Sequence, residues 1–489
     1  MGGGATPAPM TVIGNKVTKL QEYYAFGLIT SLFFLWGFSY GLLDVLNKHF
    51  QGFFGITKLQ STGLQVAYFG AYIVYSPVAG MFISRFGYKW GIYMGLTLYA
   101  AGAMGFFGSA RGETFGGFCA SSFVIASGLA TLEVCANSYV TVLGSAEHAA
   151  FRLNFSQSFN GLASFIGPLI ASKYFFSDGN ENSLGNVQYV YIAVAALGVA
   201  IAILFFFSTL PEITEQDMSE FQEDAAGADN RPFWKRWHCI GGFVVQFMYV
   251  GAQVGVASFV INYLTDKVRT PDPFSFGGPL ADNSEKQGDY TSATASQFFG
   301  YLQIVFTVAR FASTPLLRFT KPATLLAIYG SMCCLFSIVA CATGGKAGIA
   351  SLFIIFFFES IIYPTTFTLA TQDMGASFKL YLFSSIADSG VLFPTGIFTK
   401  RAAGLLCIGV GGGAAFPPAM GAMADGTSTQ LSYLIPAIGF AFVAVYGVLM
   451  MKYTSNKEKR LAVVNAYSDS GIEKKERSEE LSEKADSRN

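Results

Sequence analysis

Apolar stretches long enough to cross a bilayer recur twelve times along this chain. About 20 apolar residues in helical form span a hydrocarbon core. Runs of that size fall near 24–45, 62–84, 91–110, 116–142, 152–176 and 187–210, then near 238–264, 292–314, 323–342, 348–370, 402–423 and 431–452. In lipid every backbone N–H and C=O must be satisfied internally, and runs of this length do so as helices. Charge agrees: only 13% of the 489 residues are Asp, Glu, Lys or Arg, about half the share of a soluble protein. Lys+Arg and Asp+Glu balance at 31 each, so no overall field recruits nucleic acid. The expected fold class is an all-α integral membrane protein of twelve transmembrane helices.

Charge also divides the chain. A leader over 1–23 precedes six spans over 24–210. A stretch at 211–237 holding Glu212, Glu215, Asp217, Lys235 and Arg236 separates them from six more over 238–452. The tail at 453–489 is rich in Lys, Glu and Ser and reads as disordered. The leader carries Lys16 and Lys19, and the first apolar run is too long for a signal peptide, so it reads as an uncleaved span. Lys and Arg favour the loops on the side of both termini by about two to one, which predicts cytoplasmic termini.

The halves resemble each other. Glu133 in span 4 and Glu359 in span 10 open similar segments. Arg152 precedes Pro168 as Arg401 precedes Pro417, and Arg85-Phe86 matches Arg318-Phe319. Repeats of this kind mark transporters whose site lies between two bundles. The expected architecture is two pseudo-symmetric six-helix bundles.

Ionisable groups inside spans cost several kcal/mol and are functional candidates for that reason. Four stand out: Asp44, Glu133, Arg310 and Glu359. Asp44 could bind and release a proton, or could sit at a helix end on the surface, since Asn47, Lys48 and His49 follow. Glu133 lies deep in span 4; its alternative role is a structural hydrogen bond. Arg310 and Glu359 could form a charge pair; Arg310 could also bind substrate or anchor loop carbonyls. Gln157 and Asn160 are one turn apart on span 5 and could bind hydroxyls or join helices. Gln246, Tyr249 and Gln253 form a polar stripe on span 7, which must face a cavity or a partner helix.

Other patterns carry less. Seven cysteines lie in or beside apolar runs without metal or disulfide spacing. Gly409-Val410-Gly411-Gly412-Gly413-Ala414 fits a dinucleotide pattern but lies inside a span, where close helix packing is the better reading. The three histidines are far apart, and no P-loop is present. No metal, no cofactor and no enzyme constellation is expected.

Several segments carry a family resemblance: Phe33-Phe34-Leu35-Trp36, Leu132-Glu133 with Ala136-Asn137, Arg152-Leu153-Asn154 with Gln157 and Asn160, Gln246-Phe247 with Tyr249 and Gln253, and Tyr363-Pro364-Thr365. The chain resembles the fucose–proton symporter family of the major facilitator superfamily, especially fungal sugar-permease members, across all twelve spans. The resemblance implies the major facilitator fold and places a proton-linked carboxylate pair on Asp44 and Glu133. It also places sugar-contacting side chains on Gln157 and Asn160. Gln253 and Tyr249 join them as expected sugar contacts, as does Glu133 when ionised.

Two departures matter. Gly41 and Leu43 stand where bacterial fucose permeases carry asparagines, which widens the expected substrates from fucose to glucose and galactose. Residues 376–398 form an apolar insert where the family has a short turn, and the segment reads as a translated intron or gene-model error. The expected function is proton-coupled symport of a monosaccharide by alternating access. A facilitative uniporter is the near rival, and a non-transporting sugar sensor the further one. Monosaccharide, protons and the lipid bilayer are the expected partners, with a monomer in the plasma membrane.

Overall fold

In this computed structural model residues 18–143, 149–174, 184–208, 210, 237–266, 290–371, 406–456 and 459 are described. The leader to residue 17, most of the 211–237 stretch, the whole 376–398 insert and nearly all of the tail lie outside them. Among the described residues the chain makes twelve helical passes. In the first half these are α1 (Lys19–Phe54), α2 (Lys58–Phe86), α3 (Tyr88–Arg111), α4 (Phe115–Val142), α5 (Ala149–Ser164, continued by Ile166–Tyr174) and α6 (Gly185–Phe207). The second half holds α7 (Trp237–Thr265), α8 (Ser292–Ser313), α9 (Pro322–Ala342), α10 (Gly345–Phe358, continued by Ile362–Thr371), α11 (Leu406–Gly426) and α12 (Thr429–Asn456).

Local chemistry sets these boundaries. Thr18 caps α1 by accepting from the Gln21 N–H, while Gln21 reaches back to the Thr18 N–H. Pro322 sits in the first turn of α9, where its missing N–H costs nothing. Helix α1 runs to Phe54, about nine residues beyond the apolar run that announces it. Asp44, Asn47, Lys48 and His49 therefore lie within the helix. Asp44 is 1% exposed, so the helix-end reading of that residue is overturned. Asn47 and Lys48 after it find hydrogen-bond partners on α7.

Ten passes are long and apolar enough to cross a membrane by length and composition; α5 and α8 fall short. The reason is chemical. α5 carries Gln157, Asn160 and four serines, and α8 carries Gln303, Thr307 and Arg310. These two helices pack on each other across the two halves. Rings of Phe155 and Phe159 meet Phe311 at 6.2 and 5.9 Å, and the Ser164 hydroxyl donates to Gln303 Oε1 at 3.0 Å. The duplicate of that seam is α11 on α2, and α1 on α7 makes a third. Equivalent helices thus meet equivalent helices, as a two-fold repeat requires.

The glycine run of α11 is where backbones come closest. Residues Gly409–Ala414 form a short 3-10 turn that packs on α7 and α2 together. A Cβ on Gly412 would lie 1.8 Å from the Phe247 carbonyl oxygen, and one on Gly413 would meet the Phe69 ring at 2.5 Å. This is helix packing, as the sequence reading held, and no nucleotide loop. Gly412→Val is expected to destabilise the fold by about 1–3 kcal/mol, an overpacking cost. A lowered unfolding temperature in detergent would report it, with Gly426→Val, where nothing lies within 4 Å, as the tolerated control.

Candidate functional site

Eight helices converge on a cavity between the halves, enclosing about 580 Å³ of empty space with its open mouth included. Its polar wall is Glu133, Gln157, Asn160, Ser164, Gln253, Gln303, Arg310 and Glu359; its aromatic wall is Trp36, Tyr40, Phe69, Phe306, Phe356 and Tyr363. Three of the contributing passes are broken helices: α5 at Phe165, α10 around Glu359–Ile361, and α11 at its 3-10 turn. Broken helices at this depth are tolerated where they line a cavity, because they free backbone groups to face it.

Glu133 sits mid-helix on α4 and is 6% exposed. The Tyr363 hydroxyl of α10 donates to its Oε1, which also accepts from Asn137 Nδ2 one turn along at 3.4 Å. Gln157 Nε2 on α5 donates in turn to Asn137 Oδ1 at 3.4 Å. The chain of bonds thus crosses from one half to the other through the carboxylate. Its second oxygen, Oε2, is buried without a hydrogen-bond partner. Asn160 Nδ2 is buried and unpartnered too. Trp36 stacks on Tyr40, centroids 5.4 Å apart and 8° from parallel, and its indole N–H donates to the Tyr72 hydroxyl.

Arg310 owes its place to a proline. Pro364 lacks an N–H and its ring displaces the carbonyl four residues before it, which is Ser360. The freed Ser360 carbonyl accepts from Arg310 Nε, and the Gln157 carbonyl of α5 accepts from the same guanidinium at 2.8 Å. Phe306 lies beneath it, 4.3 Å from ring centroid to Cζ. The guanidinium therefore ties the α10 break to α5. Arg310 and Glu359 share the cavity wall, yet no ion pair within 4.0 Å joins them. The guanidinium's hydrogen bonds go to the Ser360 and Gln157 carbonyls, and Glu359 acts on it at longer range. Tyr249 stands behind the wall, 0% exposed, its hydroxyl donating to the Glu359 carbonyl at 2.8 Å. Gln253, one turn on, does line the cavity.

Asp44 lies outside the cavity wall, in the seam of α1 and α7. The Ser258 hydroxyl donates to its Oδ1 at 3.0 Å, and Oδ2 has no hydrogen-bond partner. The structure therefore gathers Glu133, Gln157, Asn160, Gln253, Arg310 and Glu359 at one cavity, and sets Asp44 and Tyr249 apart from it. Gly41 explains part of the wall's shape. A Cβ there would lie 2.1 Å from the Ser164 carbonyl oxygen, so α1 crosses α5 too closely for any side chain at 41.

Sequence reasoning did not single out Gln303, Trp36 or Tyr363 as site residues. Gln303, Thr307 and Arg310 repeat at helical spacing on α8, a polar stripe like the one recognised on span 7, and that signal would have found Gln303. Trp36 and Tyr363 give no such sign, since an aromatic in a span is ordinarily core.

Comparison with known proteins follows the same lines. The model of the Major Facilitator Superfamily matches residues 25–387. A glucose/galactose transporter of Brucella abortus biovar 1 (strain 9-941) is 31% identical over 456 residues, covering 92% of this chain and 100% of that protein. The L-fucose-proton symporter of Escherichia coli (strain K12) is 27% identical over 428 residues, 80% of this chain and 93% of that one. Among solved structures, the crystal structure of the transporter FucP in the outward conformation aligns with a TM-score of 0.65 and 26% identity, covering 88% of this chain and 99% of its own.

Proposed function

Because this chain belongs to the Major Facilitator Superfamily, we propose that it carries a monosaccharide together with protons by alternating access. It is a transporter and not an enzyme. The observation that carries the sugar reading is the cavity wall: two carboxylates, four side-chain amides, and an aromatic Trp36–Tyr40 stack between the halves. Hydroxyls of a pyranose need many directed donors and acceptors, and its apolar face needs a flat ring. The named relatives, a glucose/galactose transporter and L-fucose-proton symporters, support hexoses as the class.

In this reading Gln157, Asn160 and Gln253 supply neutral hydrogen bonds, and Glu133 receives the strongest, charge-assisted one. Asp44 and Glu133 carry the protons. Neutralising a buried carboxylate lowers the cost of keeping it dry, so loaded bundles can rock past one another while an unprotonated carrier is held back. The bundles are 24–210 and 238–452, joined by 211–237. The loops on the face of both termini hold the excess of Lys and Arg, which supports cytoplasmic termini; we assign the protein to the plasma membrane, as a monomer.

Uptake of labelled glucose, galactose and fucose into proteoliposomes, with and without an inward proton gradient, tests the reading. Accumulation that requires the gradient is expected. Equilibration indifferent to the gradient would make the protein a uniporter, and absence of any hexose uptake would remove the sugar assignment.

A further inference from the structure

The seam between α1 and α7 holds a second polar assembly, separate from the cavity. Ser258, Asn262 and Asp266 recur every fourth residue, so they share one face of α7 and its last turn. Each is bonded to a residue of the other half. Ser258 donates to Asp44 Oδ1 at 3.0 Å and accepts from Gln65 Nε2 at 3.4 Å, while its carbonyl accepts from Asn47 Nδ2 at 3.4 Å. Asn262 Oδ1 accepts from Lys48 Nζ at 3.1 Å. Asp266 Oδ2 accepts from Lys58 Nζ and from the Thr429 hydroxyl, both at 2.5 Å. Beyond it, the Leu59 N–H donates to Asp425 Oδ2 at 3.0 Å.

These rungs climb from mid-seam to the face away from the termini, and they dry out on the way down. Lys58 and Asp266 are 22% and 30% exposed, whereas Asn262 and Ser258 are 0% and 2% exposed. Every rung joins the first half to the second, so rocking of the bundles must open them together. Each bond is weak net of hydration, which a closure that reopens in every cycle needs.

We propose that Ser258 is a positioning residue for the Asp44 carboxylate, and that Ser258, Asn262 and Asp266 form the α7 edge of a gate closing it off from the far face. The inference deepens the symport reading and rests on it for the meaning of Asp44. The gate decides when that carboxylate meets the solution. The other ionisable side chains bearing on Asp44 are Tyr40 of α1, Tyr68 of α2 and Glu359 of α10.

Hydrogen–deuterium exchange of the full-length protein in lipid nanodiscs tests the gate without any transport activity. Asp266→Asn is expected to raise deuterium uptake about threefold in peptides covering 44–66 and 254–266, leaving α3 unchanged. The exchanged pair, Lys58→Asp with Asp266→Lys, should return uptake to the parent level. Ser258→Ala should loosen 44–48, and Ser258→Thr, which keeps the hydroxyl, should not. Unchanged uptake in the seam, or an equal rise in α3, overturns the gate. The positioning role has its own readout in proteoliposomes. A donor to a carboxylate favours its charged form, so Ser258→Ala should shift the alkaline limit of gradient-driven uptake upward by about one pH unit, with Ser258→Thr at the parent value. A profile that stays put in Ser258→Ala removes the positioning role. A parent without gradient-driven uptake refutes the symport reading, while the exchange data still decide the gate.

Discussion

Asp44→Asn is expected to abolish proton-driven accumulation while leaving sugar exchange and sugar affinity close to those of the parent. The substitution keeps the shape and the oxygen that accepts from Ser258, and removes only the ability to exchange a proton. A gradient of one pH unit is worth about 1.4 kcal/mol per coupled proton, or about tenfold accumulation; in the variant the ratio of inside to outside sugar should fall to one. Counterflow should survive, because Asp44 is no part of the cavity wall and the loaded carrier can still rock. Steady-state accumulation and counterflow, measured on the same vesicles, separate the two. Continued concentration of sugar by Asp44→Asn would end its assignment as the proton carrier.

Glu133→Gln should behave differently, losing binding and exchange together. The amide still offers an oxygen to Tyr363 and Asn137, so the wall should keep its form. What disappears is a charged acceptor facing the cavity, and hydrogen bonds to charged groups contribute about 1.5–3 kcal/mol. The expected loss is about 10- to 100-fold in hexose affinity by titration calorimetry, with exchange falling in step. Parent-like affinity in Glu133→Gln would mean that the carboxylate acts on protons alone. The contrast between the two variants is the sharper test, since one carboxylate touches the cavity and the other does not.

Much of this was legible from spacing alone. Length and hydropathy of the apolar runs locate twelve passes because lipid forces backbone satisfaction within each one. Ionisable residues at depth stand out against that background, so Glu133, Arg310 and Glu359 announce themselves. Partnership does not. Whether Arg310 answers Glu359 or a carbonyl depends on Pro364 freeing Ser360, a consequence of where α10 passes α8, and no linear pattern encodes that. The end of α1 is hidden for a related reason: Asn47, Lys48 and His49 look like a surface when the α7 partners of Asn47 and Lys48 lie some two hundred residues away. Ser258 was hidden because a lone serine in a span is usually bonded to its own helix, as Ser138 and Ser158 are.

The polar character of α5 and α8 has a bearing on how the chain is made. Charged and amide side chains at mid-helix raise the cost of partitioning into lipid, and these two passes lack the apolar surplus of the others. α8 is covered chiefly by α5, and α5 packs on α1 of its own half and then on α8; α5 is synthesised in the first half and α8 in the second. A nascent first half therefore leaves the α8-facing side of α5 uncovered until its counterpart arrives more than a hundred residues later. The residues that build the cavity thereby delay its assembly, and they make the two halves depend on each other during biogenesis as well as during transport.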